Sequence, residues 1–95
     1  MNVINLYLIF ISFQSGQHRN LAVSEKAEIL DEIEKLYVSQ FYDYYNDDLE
    51  FEEMCRSEIE KHKKAMQAAE RDGKQDYHFE LEDTTWATIT FPKRD

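Results

Sequence analysis

The sequence predicts an α+β fold: an antiparallel two-helix hairpin packed on a small antiparallel sheet. The order is β-α-α-β-β, or α-α-β-β if the N-terminal segment is extraneous. Three observations predict it. Two stretches with apolar residues at helical spacing adjoin in mid-chain, separated only by "NDD" (Asn46 to Asp48). Two segments near the C-terminus alternate apolar and polar residues, the period of a half-buried strand. A further apolar run, "INLYLIFISF", occupies Ile4 to Phe13. The 95 residues suffice for one domain. It is drawn over 23–95, with 1–22 as an apolar strand or extension followed by a loop.

The N-terminal run is rich in β-branched and aromatic residues and is followed by the turn-like "QSGQ", which favours a buried strand. A membrane span needs roughly 20 apolar residues, and this run is shorter. A signal peptide needs a cationic leader, and the first basic residue is Arg19. Two other readings compete with the strand: a weak signal peptide, and an upstream extension with translation starting near Val23. "QSGQHRNLA" (Gln14 to Ala22) has no periodicity and reads as a loop.

The first helix is expected from Ser24, as N-cap, to Tyr45. Leu30, Ile33, Tyr37, Phe41 and Tyr44 fall on one face, widened by Ile29 and Leu36 on one side and by Val38 and Tyr45 on the other. The opposite face is acidic. Asp47 caps the second helix, with Glu50 three residues on as in a capping box. That helix is expected over Asp48 to Asp72, with Phe51, Cys55, Ile59, His62, Met66 and Ala69 on its apolar side and Gly73 ending it. A connection this short between long helices makes them antiparallel neighbours.

"DYHFELED" puts Tyr77, Phe79 and Leu81 on one side of a strand, and "TWATITF" puts Ala87, Ile89 and Phe91 on one side of the next. Pairing Leu81 with Ala87, Phe79 with Ile89 and Tyr77 with Phe91 buries both sets together. That register needs a loop of about three residues around Asp83 to Thr85. Pro92 then ends the sheet.

The chemistry-bearing residues do not assemble a reactive site. Cys55 and His62 share a helix face but lie about 10 Å apart along the axis, too far for one zinc. Glu58 and His62 make only two ligands. The acid run after Asp47 lacks the glycine of a calcium-binding loop. No glycine-rich phosphate loop occurs, and no serine sits in a nucleophile elbow. The expectation is therefore a non-catalytic protein without cofactor or metal, with Cys55 as a small core residue. The single cysteine allows no internal disulfide and fits a reducing, cytoplasmic setting.

Twenty acids face eleven bases, a net charge of −9, which disfavours direct binding to nucleic acid or to anionic lipid. The basic run "KHKK" (Lys61 to Lys64) is flanked by Glu58, Glu60 and Glu70 and reads as a solvated helix face. Between Ala27 and Cys55 lie ten acids and one base, so the whole net charge sits in that segment. Solubility alone scatters charge instead. The expected function is a small acidic interaction protein that binds a basic surface of a protein partner, in the manner of an inhibitor, immunity factor or nucleic-acid mimic. Its expected face is Asp31, Glu32, Asp43, Asp48, Glu50, Glu52 and Glu53, with Tyr42 and Tyr45 as aromatic anchors. Asp47 joins that face but is accounted for as a cap. The alternative is a non-catalytic assembly module acting as a homodimer, through the helices or through sheet edges.

Overall fold

The computed structural model describes residues 5–92. Ile4, the first residue of the apolar run, lies outside them. The elements are β1 (Tyr7–Ser12), β2 (His18–Val23), α1 (Lys26–Phe41), a 3₁₀ turn (Tyr42–Tyr44), α2 (Asp48–Arg71), β3 (Asp76–Glu80) and β4 (Trp86–Thr90). The four strands form one antiparallel sheet in the order β2-β1-β4-β3, and both helices pack on one of its faces. The fold is α+β, in the order β-β-α-α-β-β.

The N-terminal strand is central, which removes the α-α-β-β alternative. Ile9 and Ile11 point into the core, at 4% and 1% exposure. β1 is hydrogen-bonded to β2 on one side and to β4 on the other. A chain starting near Val23 would lack both those core residues and the strand that joins the sheet. The loop expected over 14–22 is also corrected, because His18–Val23 is strand β2. An edge strand needs few apolar residues, and here only the half-buried Leu21 and Val23 pack against the core.

α1 starts at Lys26, with Glu25 rather than Ser24 at the N-cap and no side-chain cap bond. Instead the N–H of Ser24, one residue before the cap, donates to the Glu28 carboxylate at 3.2 Å. The helix stops at Phe41, short of the expected Tyr45, and the chain tightens into the 3₁₀ turn. The buried stripe is therefore Ile29, Ile33, Leu36 and Tyr37. Val38 and Tyr44, expected along that stripe, are 44% and 80% exposed.

α2 follows the sequence closely. The Asp47 carboxylate accepts from the Leu49 N–H at 2.9 Å. At the far end Gly73 takes φ +77°, and its N–H and that of Lys74 donate to the carbonyls of Glu70 and Ala69. This is a Schellman closure, where a left-handed residue is required. α2 returns alongside α1: Phe51 meets Tyr42, and His62 meets Tyr37.

The C-terminal hairpin has the expected faces but a shifted register. Phe79 pairs with Ala87 and Tyr77 with Ile89, two residues from the expected match. The loop has three residues, but they are Glu82 to Thr84. Leu81 N–H donates to Thr85 O at 2.7 Å, and Thr84 N–H to Leu81 O at 3.1 Å. The cause is Asp83, whose carboxylate accepts from both the Thr85 N–H and the Thr85 hydroxyl, at 3.0 and 3.1 Å. That closure fixes the turn one residue earlier. Since the shift is even, Phe79, Leu81, Ala87, Ile89 and Phe91 are still buried together.

Candidate functional site

The join between the helices is the point where the acidic segment gathers. The 3₁₀ turn and the first turns of α2 put Tyr42, Asp43, Tyr44, Asp48, Leu49, Glu50, Glu52 and Glu53 on the surface. Asp47 and Asp48 suit the N-terminus of α2, where backbone N–H groups present partial positive charge. Asp48 also accepts a hydrogen bond from the Tyr42 hydroxyl at 3.0 Å. That bond and the Asp48 charge push the Tyr42 phenol above its ordinary range, so it stays protonated and donating.

The aromatics of this region divide in a way the sequence did not show. Tyr45 is half-buried and packs at 5.5 Å on Phe51, so it belongs to the scaffold. Tyr42 packs edge-on against the same ring at 5.2 Å yet stays 49% exposed. Tyr44 and Leu49, not among the expected anchors, are 80% and 61% exposed. Leu49 shares its side of α2 with Glu52 and Glu53, three and four residues on. The signal for Leu49 was present: it is an apolar residue off the buried stripe of its helix. Tyr44 depended on where α1 ends.

Two other expected residues lie apart. Asp31 is exposed on α1, about 16 Å along the axis from Tyr42. Glu32 is largely covered and paired with Arg19 at 3.5 Å and Lys35 at 3.2 Å, so it ties α1 to β2. The structure brings together Tyr42, Asp43, Asp48, Glu50, Glu52 and Glu53, and leaves Asp31 and Glu32 outside that group.

Beside this tip is an open cleft of about 1130 Å³ between the helices and the two hairpin loops. Phe13, Tyr37, Phe41, Tyr44, Tyr45 and Met54 supply its apolar walls, and the acidic residues Glu58, Glu80, Glu82 and Asp83 also line it. No lysine or arginine among the described residues lines it. Glu82 and Asp83 come from a loop distant in sequence, which no local pattern could connect to the tip. Glu58 is engaged by Lys61 at 3.3 Å and by the Tyr37 hydroxyl at 3.5 Å.

Behind the cleft is a buried polar row. His62 Nε2 lies 2.8 Å from the Tyr37 hydroxyl and Nδ1 lies 2.7 Å from the Tyr77 hydroxyl. Burial pushes the His62 pKa down, against the opposing pull of Glu58. Cys55 is buried, and burial followed by the Glu34 charge pushes its thiol up, away from a reactive thiolate. No group of three His, Cys, Asp or Glu side chains converges as metal ligands among the described residues. No helix among them is long and apolar enough to cross a membrane. Compared with protein-family models, curated proteins and solved structures, the chain matches none.

Proposed function

We propose that this is a small acidic interaction protein that binds a basic surface of a protein partner through the end of its helical hairpin. One observation carries the proposal. Tyr42, Tyr44 and Leu49 are exposed within a surface of carboxylates, and no lysine or arginine occurs from Leu36 to Cys55. Apolar anchors inside a charged rim supply both halves of a steered interface. The rim speeds encounter with an oppositely charged surface, and the anchors hold the complex. The cleft beside them offers aromatic walls and carboxylates to an arginine or lysine side chain of the partner. Such a protein acts by occupying the basic surface, as an inhibitor, immunity factor or nucleic-acid mimic does, and not by catalysis. The single buried Cys55 supports a cytoplasmic setting.

The test is capture of basic proteins from a cell extract on immobilised protein, at low and high salt, with the captured proteins identified by mass spectrometry. The control carries Asp43→Asn, Asp48→Asn, Glu52→Gln and Glu53→Gln. These side chains are exposed and bury nothing, so the far-UV circular dichroism stays the same. The expected result is salt-sensitive capture by the native protein and its loss in the variant. Equal capture by both reduces the acidic tip to a solvated join.

A further inference from the structure

The sheet face turned away from the helices is covered by nothing among the described residues, yet it is not a polar face. It carries Leu8, 52% exposed, and the partly buried Phe10 and Trp86, whose rings cover one another. Four rings from four strands run across it: His18, Phe10, Trp86 and His78, with successive centroids 5.2, 5.3 and 5.3 Å apart. On a solvated antiparallel sheet these positions are ordinarily polar.

The pairing register sets these side chains in three rows across the strands in the order β2-β1-β4-β3. The first is His18, Ser12, Trp86 and Glu80. The second is Asn20, Phe10, Thr88 and His78. The third is Ala22, Leu8, Thr90 and Asp76. Each row holds one large apolar side chain, and beside it, on the other central strand, a serine or threonine.

We propose that this face docks on the same face of a second copy of the chain, about a two-fold axis lying between the sheets and parallel to the strands. That rotation lays β2 on the second copy's β3, and β1 on its β4. Row by row, Trp86 meets Ser12 of the second copy, Phe10 meets Thr88, and Leu8 meets Thr90. Each of the three large apolar side chains falls on a small one, and the symmetry repeats each pair. At the edges His18 meets the second copy's Glu80, and Asn20 meets His78. A two-fold across the strands instead drives Glu80 onto Asp76 and Phe10 onto Phe10. Packed sheets lie about 10 Å apart and turn by about 30°, so the central pairs stay in closest register.

Charge selects the occupant. A second copy also carries −9, and the helical-hairpin end, with its run of carboxylates, repels itself. Among the described residues the sheet face has as carboxylates only Asp76 and Glu80, both at the β3 edge, with His18 at the β2 edge opposite. Stacked rings also suit nucleic-acid bases, but among the described residues this face has no lysine or arginine to hold phosphate. The homodimer anticipated through helices or strand edges thus has a different face available, since the helices' buried stripes are already spent against the sheet. This interface is independent of the acidic tip.

Sedimentation equilibrium over a concentration series tests it, with far-UV circular dichroism as the fold control. The native chain is expected to show a monomer–dimer equilibrium. Trp86→Ser is expected to weaken it by at least about a hundredfold, since each dimer loses two central anchors. His18→Glu is expected to weaken it about fivefold by setting Glu against Glu80 at both ends, and adding Glu80→Lys to restore it. A native chain that stays monomeric to about 1 mM overturns the proposal. So does a dimer indifferent to Trp86→Ser, or a double variant that fails to recover. A monomer whose Trp86 fluorescence is quenched by single-stranded oligothymidylate overturns it in favour of base stacking.

Discussion

The hydroxyl of Tyr37 on α1 lies 2.8 Å from Nε2 of His62 on α2, where both helices meet the sheet. Tyr77, on β3, closes the other side of the ring at 2.7 Å. The buried row has one consistent direction of donation. Tyr37 donates to Glu58, His62 donates through Nε2–H to Tyr37, and Tyr77 donates to Nδ1. Burial, with Glu58 adding to it, pushes the Tyr37 phenol well above its ordinary range, which keeps it a donor. The histidine is therefore a satisfied core residue in its neutral form.

That arrangement makes stability depend on pH. Burial lowers the His62 pKa in the folded state below the ordinary 6.5 of the unfolded chain. As pH falls through 6.5 the unfolded state takes up the proton first, so it binds more protons and stability drops. The loss continues down to the folded-state pKa and then levels off. Urea unfolding between about pH 8 and pH 5 checks this. His62→Phe is expected to be less stable throughout, because Tyr77 loses its acceptor, but to lose this part of the pH dependence. Tyr37→Phe is expected to cost about 1–2 kcal/mol, the loss of a buried hydrogen-bond partner.

The two hairpins close in the same way, and that defines a stabilising substitution. In the first, Phe13 N–H donates to Gln17 O and Gly16 N–H to Phe13 O, with Gly16 at φ +91°. In the second, Leu81 and Thr84 make the corresponding bonds, with Thr84 at φ +73°. The same left-handed site is filled by glycine in one loop and by a β-branched residue in the other. The left-handed conformation costs a residue with a Cβ about 1–2 kcal/mol, and glycine returns part of that through chain entropy. Thr84→Gly is expected to stabilise by about 0.5–1 kcal/mol, read as a higher urea midpoint at unchanged slope.

What the sequence disclosed follows from where the physics is local. Asp47, Gly73 and the alternation at Phe79 and Ile89 each act within a few residues, and each was legible. β2 was not, because an edge strand is defined by its partner and "HRNLAV" buries little of its own. Tyr44 and Tyr45 exchanged roles because one residue of helix end decides which of them turns inward. The cleft carboxylates Glu82 and Asp83, and the aromatic row on the open face, depend on strand register. An error of two residues in the hairpin leaves the core intact but rewrites every cross-strand neighbour.

The central position of β1 gives a direct test of how the fold is built. Ile11 is 1% exposed and faces the helices from the middle of the sheet. Ile11→Ala is expected to cost about 2–4 kcal/mol through lost burial and the cavity left behind. Leu8 sits on the opposite face of the same strand at 52% exposure, and Leu8→Ala is expected to change stability by less than about 1 kcal/mol at low protein concentration. Equal, small effects at both positions in urea unfolding are incompatible with β1 as a core strand.

The exposed apolar residues at the helical tip separate anchoring from attraction. Leu49 and Tyr44 are 61% and 80% exposed, so their removal takes little from the core. Leu49→Ala with Tyr44→Ala is expected to shift the unfolding free energy by less than about 0.5 kcal/mol. In a complex with a basic partner the same pair is covered, and its loss is expected to weaken binding by about 2 kcal/mol, roughly thirtyfold. The effect is expected in the dissociation rate, at every salt concentration. Neutralising Asp43, Asp48, Glu52 and Glu53 is expected to act on the other side of the ledger. It slows association, and it flattens the dependence of that rate on salt. Asp47 serves as the internal control. Asp47→Ala removes the α2 cap and is expected to cost about 1 kcal/mol of stability. Surface plasmon resonance at several salt concentrations distinguishes these effects. A Leu49 and Tyr44 variant with native dissociation kinetics leaves charge as the tip's only contribution.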